Sequence, residues 1–220
     1  MTKNRFPKKA FTLVELLVVM AIISVLTSLC ILGFKSLTGT KGLTGAGDQV
    51  GALLAFARQE AIAKDTMTAL VIVTSPNTGK AAYRTLAVWE YNAATDGTTG
   101  TWTQASKWQT LPTGIVIDNT SSAATFLTSS SVTPSLPTLQ YLGTTLTSPT
   151  TDYAMQVFLP SGRLIPPTGS NPYILQLVEG FYTGSTPTYQ HPNATNSALP
   201  GNYVSYVFST ATGEPKIVRP

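Results

Sequence analysis

Residues 11–32 read FTLVELLVVMAIISVLTSLCIL, an apolar run with Glu15 as its single charge. As a helix it would span roughly 33 Å at about 1.5 Å per residue, enough for a hydrocarbon core of ~30 Å. Residues 33–47, GFKSLTGTKGLTGAG, contain five glycines (Gly33, Gly39, Gly42, Gly45 and Gly47) and predict a Gly-rich hinge rather than a rigid helix. From Asp48, read as an N-cap, Val50, Leu53, Leu54, Ala57 and Ala61 recur at helical spacing. They predict an amphipathic helix over residues 48–66, with its apolar face turned to a sheet. Short β-type runs bounded by turn-formers then follow at 68–74, 83–91, 108–117, 155–159, 173–178, 203–209 and 216–219. Residues 67–220 therefore form a β-rich head, with a Ser/Thr/Pro-rich inserted loop over about 119–151. The expected fold class is α+β, one long N-terminal helix packed on an antiparallel sheet head.

Charge changes the meaning of the first segment. Only 11% of the 220 residues are charged, against 43% hydrophobic, and the net charge is +4. Lys3, Arg5, Lys8 and Lys9 supply that excess within residues 1–10, and residues 11–220 carry ten basic and ten acidic side chains. A basic stretch before an apolar run holds that end in the cytoplasm. Phosphate binding would need a basic patch elsewhere, so no nucleic-acid partner is expected. An ordinary secretory signal has a shorter apolar core and a small-x-small cut site, which residues 11–32 lack. The apolar helix is therefore expected to stay with the mature chain as a single-pass membrane anchor.

Glu15 is the residue that needs explaining, because an ionised carboxylate in hydrocarbon is costly without a partner. Either it reaches headgroup water, or it neutralises a cation supplied by another chain. If cleavage frees the Phe11 amine, that amine lies four residues before Glu15 and can pair with Glu15 of a neighbouring subunit. Cys30, the only cysteine, sits in the apolar run and reads as a small buried side chain. His191 is the only histidine, so neither a Ser-His-Asp arrangement nor a zinc set can be built on it. Ser161-Gly162 lacks the nucleophile-elbow pattern, and Gly45, Gly47 and Gly51 lack the spacing of a phosphate loop. Arg58 and Glu60 read as solvated helix charges, with Glu60 and Lys64 an i,i+4 pair. Asp96, Asp118, Asp152 and Glu179 are scattered without calcium-loop spacing. No catalytic residue, metal or cofactor is assigned. Trp89, Tyr91, Trp102 and Trp108 divide between core packing and an exposed aromatic patch.

The string KKAFTLVELLVVMAIISVL, residues 8–26, resembles the prepilin cleavage and methylation motif of type IV pilin-like proteins. The resemblance implies that a membrane prepilin peptidase cuts between Ala10 and Phe11 and methylates the Phe11 amine. Lys8 and Lys9 then belong to a cleaved leader, residues 1–10, and Glu15 to assembly. Family members usually carry Gly where this chain has Ala10, and many carry a helix proline near Leu32. LLAFARQEAIAK (53–64), VFLPSGRL (157–164), YILQLV (173–178) and YVSYVFSTATGEPKIVRP (203–220) resemble GspH/FimT-type minor pseudopilins. That implies a structural subunit of a type II secretion or type IV pilus-like filament, on the bacterial inner membrane with its head in the periplasm. The implied partners are the prepilin peptidase, other pilin or pseudopilin subunits, an inner-membrane assembly platform and membrane lipid. The alternatives are a DNA-binding minor pilin, for which Lys216 and Arg219 are offset by Glu214, and a membrane-anchored periplasmic enzyme.

Overall fold

The structure, a computed structural model, describes residues 13–93, 100–119, 125–127, 138–148, 151–165, 173–209 and 212–219, apart from the side chains of 25 and 27–41. The expected leader charges Lys8 and Lys9, the cleavage pair Ala10 and Phe11, and the Cys30 side chain lie outside the described residues. The chain divides into two units, residues 1–40 and 41–220.

The first element is helix α1, Leu13–Ala63. Residues 33–47 are helical throughout, so the glycines do not interrupt the backbone and Asp48 is an interior residue, not an N-cap. In residues 42–63 the reason is packing. A Cβ on Gly51 would come within 3.1 Å of the Tyr206 hydroxyl, and one on Gly47 within 3.4 Å of Val204 Cγ1. Bare glycines let the helix lie close to a strand, which offsets their low helix propensity. The Tyr206 hydroxyl also donates to the Gly47 carbonyl.

The strands are β1 (Thr68–Val73), β2 (Thr85–Asn92), β3 (Thr101–Gln104), β4 (Gln109–Thr110), β5 (Ile115–Ile117), β6 (Leu139–Tyr141), β7 (Thr144–Leu146), β8 (Tyr153–Phe158), β9 (Tyr173–Thr183), β10 (Thr186–Tyr189), β11 (Tyr203–Phe208) and β12 (Pro215–Val218). One antiparallel sheet runs β3-β2-β1-β8, with β4 also on β2. A second runs β10-β9-β11-β12, with β5 also on β9. The expected α+β architecture, helix and antiparallel sheets, is what the structure has.

Both sheets share the helix as a wall. Ala46, Val50, Leu54, Ala57 and Ala61 are fully buried or nearly so, packed with Leu70, Ile72, Leu86 and Phe158 of the first sheet and Leu175, Leu177 and Tyr206 of the second. Val50, Leu54, Ala57 and Ala61 lie on the face that the spacing predicted, with Leu53 in the same cluster, while Ala46 belongs to the stretch expected as a hinge. Strand β1 is buried at all six residues. Leu70 and Ile72 face the helix cluster, while Ala69, Val71 and Val73 join a second cluster with Trp102, Leu139, Leu146, Tyr153 and Met155. A strand covered on both faces reads as a continuous apolar run, which is the pattern TALVIV shows.

The second cover corrects the expected loop. Within residues 119–151, β6 and β7 form a hairpin that pairs Leu139 with Leu146, both fully buried. Its turn puts Leu142 at φ 44° and Gly143 at φ 82°, the two left-handed residues that a tight hairpin needs. Part of the supposed insert is thus a lid on the first sheet. The other residues of the stretch, apart from 119, 125–127, 138, 147–148 and 151, lie outside the described residues.

Gly51→Leu should destabilise the head by about 1–3 kcal/mol, since the new side chain must displace Tyr206. Tyr206→Phe should cost about 1 kcal/mol through loss of the bond to Gly47. Denaturant unfolding of each variant at constant m-value measures both.

Candidate functional site

The first unit offers a surface rather than a cleft. Glu15 lies in the first turn of α1, where the helix dipole favours a negative charge. Around it Leu13 is 80% exposed, and Val14, Leu16, Leu17 and Met20 are all exposed by more than half. Ile22, Ile23 and Leu26 continue the exposed apolar surface. A contiguous patch of this kind marks an interaction site. Among the described residues no helix is long and apolar enough to cross a membrane. Of the run at 11–32, residues 11 and 12 and the side chains of 25 and 27–32 lie outside them.

In the head, the sequence's scattered candidates find partners it did not reveal. His191 is not isolated. Its Nε2 lies 3.2 Å from Glu179 Oε2, and Asn202 Nδ2 donates to Glu179 Oε1 at 3.1 Å. Glu179 is almost fully buried and His191 exposed, so the pair ties loop 190–202 to β9. Asp118 is also fully buried and accepts from the Tyr189 hydroxyl at 3.1 Å to each carboxylate oxygen. Asp152 Oδ2 accepts from Thr147 N at 2.9 Å, Thr147 Oγ1 at 3.1 Å and Ser148 N at 3.1 Å. It therefore closes the turn into β8. Among the described residues no group of three or more His, Cys, Asp or Glu is placed to hold a metal ion.

Arg58 and Glu60 do not form a pair. Arg58 Nε donates to the Gly162 carbonyl at 3.3 Å, which pins the turn after β8 to the helix. Glu60 shares Lys64 Nζ with Glu90, each at 2.7 Å, and these two carboxylates raise the Lys64 pKa. Of the four aromatics, Trp102 is buried and Trp89, Tyr91 and Trp108 are half-buried around the second cluster. Trp108 stacks edge-on against Tyr141 at 5.5 Å, and Tyr91 tilts against Trp102 at 5.4 Å. They wall the hairpin lid, and the core reading of these residues accounts for more of their area than an open patch does.

Comparison with known proteins bears on the N-terminal segment first. Residues 5–31 match the prokaryotic N-terminal methylation motif, so the chain carries a prepilin-type segment, as the string at 8–26 implied. No curated protein matches. Among solved structures the chain is similar to the minor pseudopilin EpsH from the Type 2 Secretion System of Vibrio cholerae. That match has 14% identity and a TM-score of 0.43, and covers 81% of this chain and 97% of that one.

The donors around Asp152 hold its pKa below the usual carboxylate value, led by the Thr147 amide. A depressed folded pKa contributes stability above the unfolded value, near 3.9, that is lost as pH falls through the folded pKa. Because Asp152 is only partly buried, solvent screening limits the effect to about 1 kcal/mol or less. Asp152→Asn should lower stability by that amount at pH 7, and the gap to wild type should close in acid. Urea unfolding across the pH range checks the sign.

Proposed function

We propose that this chain is a structural subunit of the minor-pseudopilin type, built into a type II secretion or pilus-like filament through its N-terminal helix. The observation that carries this reading is the methylation motif at residues 5–31, continuous with an exposed apolar helix surface that contains a single carboxylate, Glu15. A prepilin peptidase removes residues 1–10 at the Ala10–Phe11 bond and methylates the Phe11 amine. The leader charges Lys8 and Lys9 keep that end cytoplasmic. The anchor, residues 11–32, holds the subunit in the inner membrane with its head in the periplasm until the assembly platform takes it up.

In the filament, apolar helices bundle with those of other pilin or pseudopilin subunits, which covers the surface left open in the single chain. Glu15 pairs with the Phe11 amine of a neighbour. Each charge satisfies the other in a medium where an unpaired ion would be costly, and only one axial register brings them together. This places the mechanism in assembly rather than in catalysis.

Mass spectrometry of the membrane-inserted protein should find a methylated Phe11 as its N-terminus, and an intact leader would sink the processing step. Glu15→Ala should leave processing intact and reduce filament incorporation by at least about tenfold, since stranding a buried charge costs several kcal/mol. Cross-linking to neighbouring subunits measures it, and wild-type incorporation would remove the pairing.

A further inference from the structure

Residues 76–84, the connection from β1 to β2, pass beside β5 and the β9–β10 hairpin and enclose a cleft of about 760 Å³. That volume lies within the usual range for small-ligand sites, roughly 300–1,000 Å³. The walls are mainly apolar, from Pro76, Ala82, Val116, Phe181 and Tyr182. Phe181 projects from β9 with 58% of its surface exposed. Tyr182 is fixed by stacking on Tyr83 at 4.1 Å and by donating its hydroxyl to the Ile117 carbonyl at 2.7 Å. Gly79, Gly114 and Gly184 also line the cleft, and a Cβ on any of them would meet nothing within 4 Å.

Among the described lining residues the charged ones are Lys80 and Arg84, and none is acidic. Arg84 Nη1 donates to the Lys80 carbonyl at 3.1 Å and Nη2 to the Leu111 carbonyl at 2.7 Å. Its Nε is buried without a hydrogen-bond partner. Among the described residues the ion pairs are those of Lys64 with Glu60 and Glu90 and of His191 with Glu179. None reaches either cation of the cleft. Burial lowers the Arg84 pKa, the mark of a guanidinium partly withdrawn from water with no counter-charge supplied. Such a group gains most from an anion brought to it with a desolvating apolar body.

We propose that this cleft binds a ligand that lays an aromatic or branched apolar group against Phe181 and Val116 and sets a carboxylate against Lys80 and Arg84. The site belongs to the head and does not depend on the filament reading. The fixed Tyr182 wall and the open space beside the glycines shape the apolar end, and the two cations select the charge. A neutral analogue leaves both cations uncompensated, and a bare anion leaves the apolar wall wet.

The cleft supplies its own reporters, because the amides of Gly79, Gly114, Gly180 and Gly184 fall in a distinct region of the nitrogen–proton spectrum. The full chain in lipid nanodiscs, labelled on glycine nitrogen, is titrated with N-acetyl-L-phenylalanine, its neutral amide and sodium acetate. The acid should give saturable shifts of these glycines in the millimolar range, with the amide and acetate each weaker by about tenfold, or ~1.4 kcal/mol. Lys80→Gln should narrow the gap between acid and amide by weakening the acid alone, with Arg84 keeping the remainder, and Phe181→Ser should weaken acid and amide alike. Both positions lie at the surface, and an unchanged thermal melt shows the fold is kept. Equal affinity for acid and amide, acetate binding as well as the acid, or no saturable shift at the cleft glycines would each overturn the proposal.

Discussion

The head is organised by the closeness with which one helix can approach two sheets at once. A helix placed against a single sheet needs only one apolar stripe. Here Ala46, Val50, Leu54, Ala57 and Ala61 meet strands from both sheets, so the surface facing the strands is small and flat, built largely from alanine with glycine beside it. Gly47 and Gly51, one turn apart, are where β11 comes nearest. A larger residue there would push the second sheet away and open the cluster that Tyr206, Leu175 and Phe208 close. Interiors packed to crystal-like density tolerate little of that movement. The residues that weaken the helix as an isolated element are thus the ones that permit its packing.

A second constraint follows from the first. Because the helix covers only one face of the first sheet, β1 needs another cover for Ala69, Val71 and Val73, and the β6–β7 hairpin supplies it through Leu139 and Leu146. The aromatic side chains of β2 and β3 and Trp108 complete the wall. Trp108 Nε1 reaches the Gln140 carbonyl at 3.2 Å, which ties the hairpin to the edge of the sheet by a directed bond as well as by apolar contact. The stretch that interrupts the strand pattern of the sequence is therefore part of the core of the head.

What could be read from the residues divides along the range of the interactions involved. Periodicity is a local signal, and it gave the helix face from Val50 to Ala61 and β1, β2, β8, β11 and β12 to within about two residues at their ends. By contrast, β9 continues to Thr183, the run at 108–117 divides into β4 and β5 on different sheets, and β3 and β10 were not foreseen. The prepilin-type segment was legible because its order along the chain is its chemistry. Propensity misled at Gly33–Gly47 and Asp48, since helix continuity there is decided, where the side chains are described, by a tertiary contact with β11 that no window of sequence contains. The hairpin was missed because each of its strands has only three residues, too few for alternation to register. His191 looked solitary because Glu179 precedes it by twelve positions and meets it only through the pairing of β10 with β9. The cleft cations were invisible for the same reason, since a loop at 76–84 and a strand at 180–182 share no sequence signal.

The two parts of α1 meet opposite demands. From Leu43 to Ala61 the apolar side chains are one-sided, and the sheets of the same chain bury them. From Leu13 to Leu26 the described side chains are apolar almost all round and exposed, so no arrangement of this chain's own described residues satisfies them. An all-round apolar helix has to be covered by lipid or by other helices, and either medium would make Glu15 costly unless a cation came with it. Lipid offers none at depth, whereas the proposed cleavage before Phe11 would give a neighbouring chain one at a fixed height. Under the proposed assembly, the requirement for cover and the requirement for a counter-charge have a common solution in a second subunit, and the single acid in an otherwise apolar run then sets register.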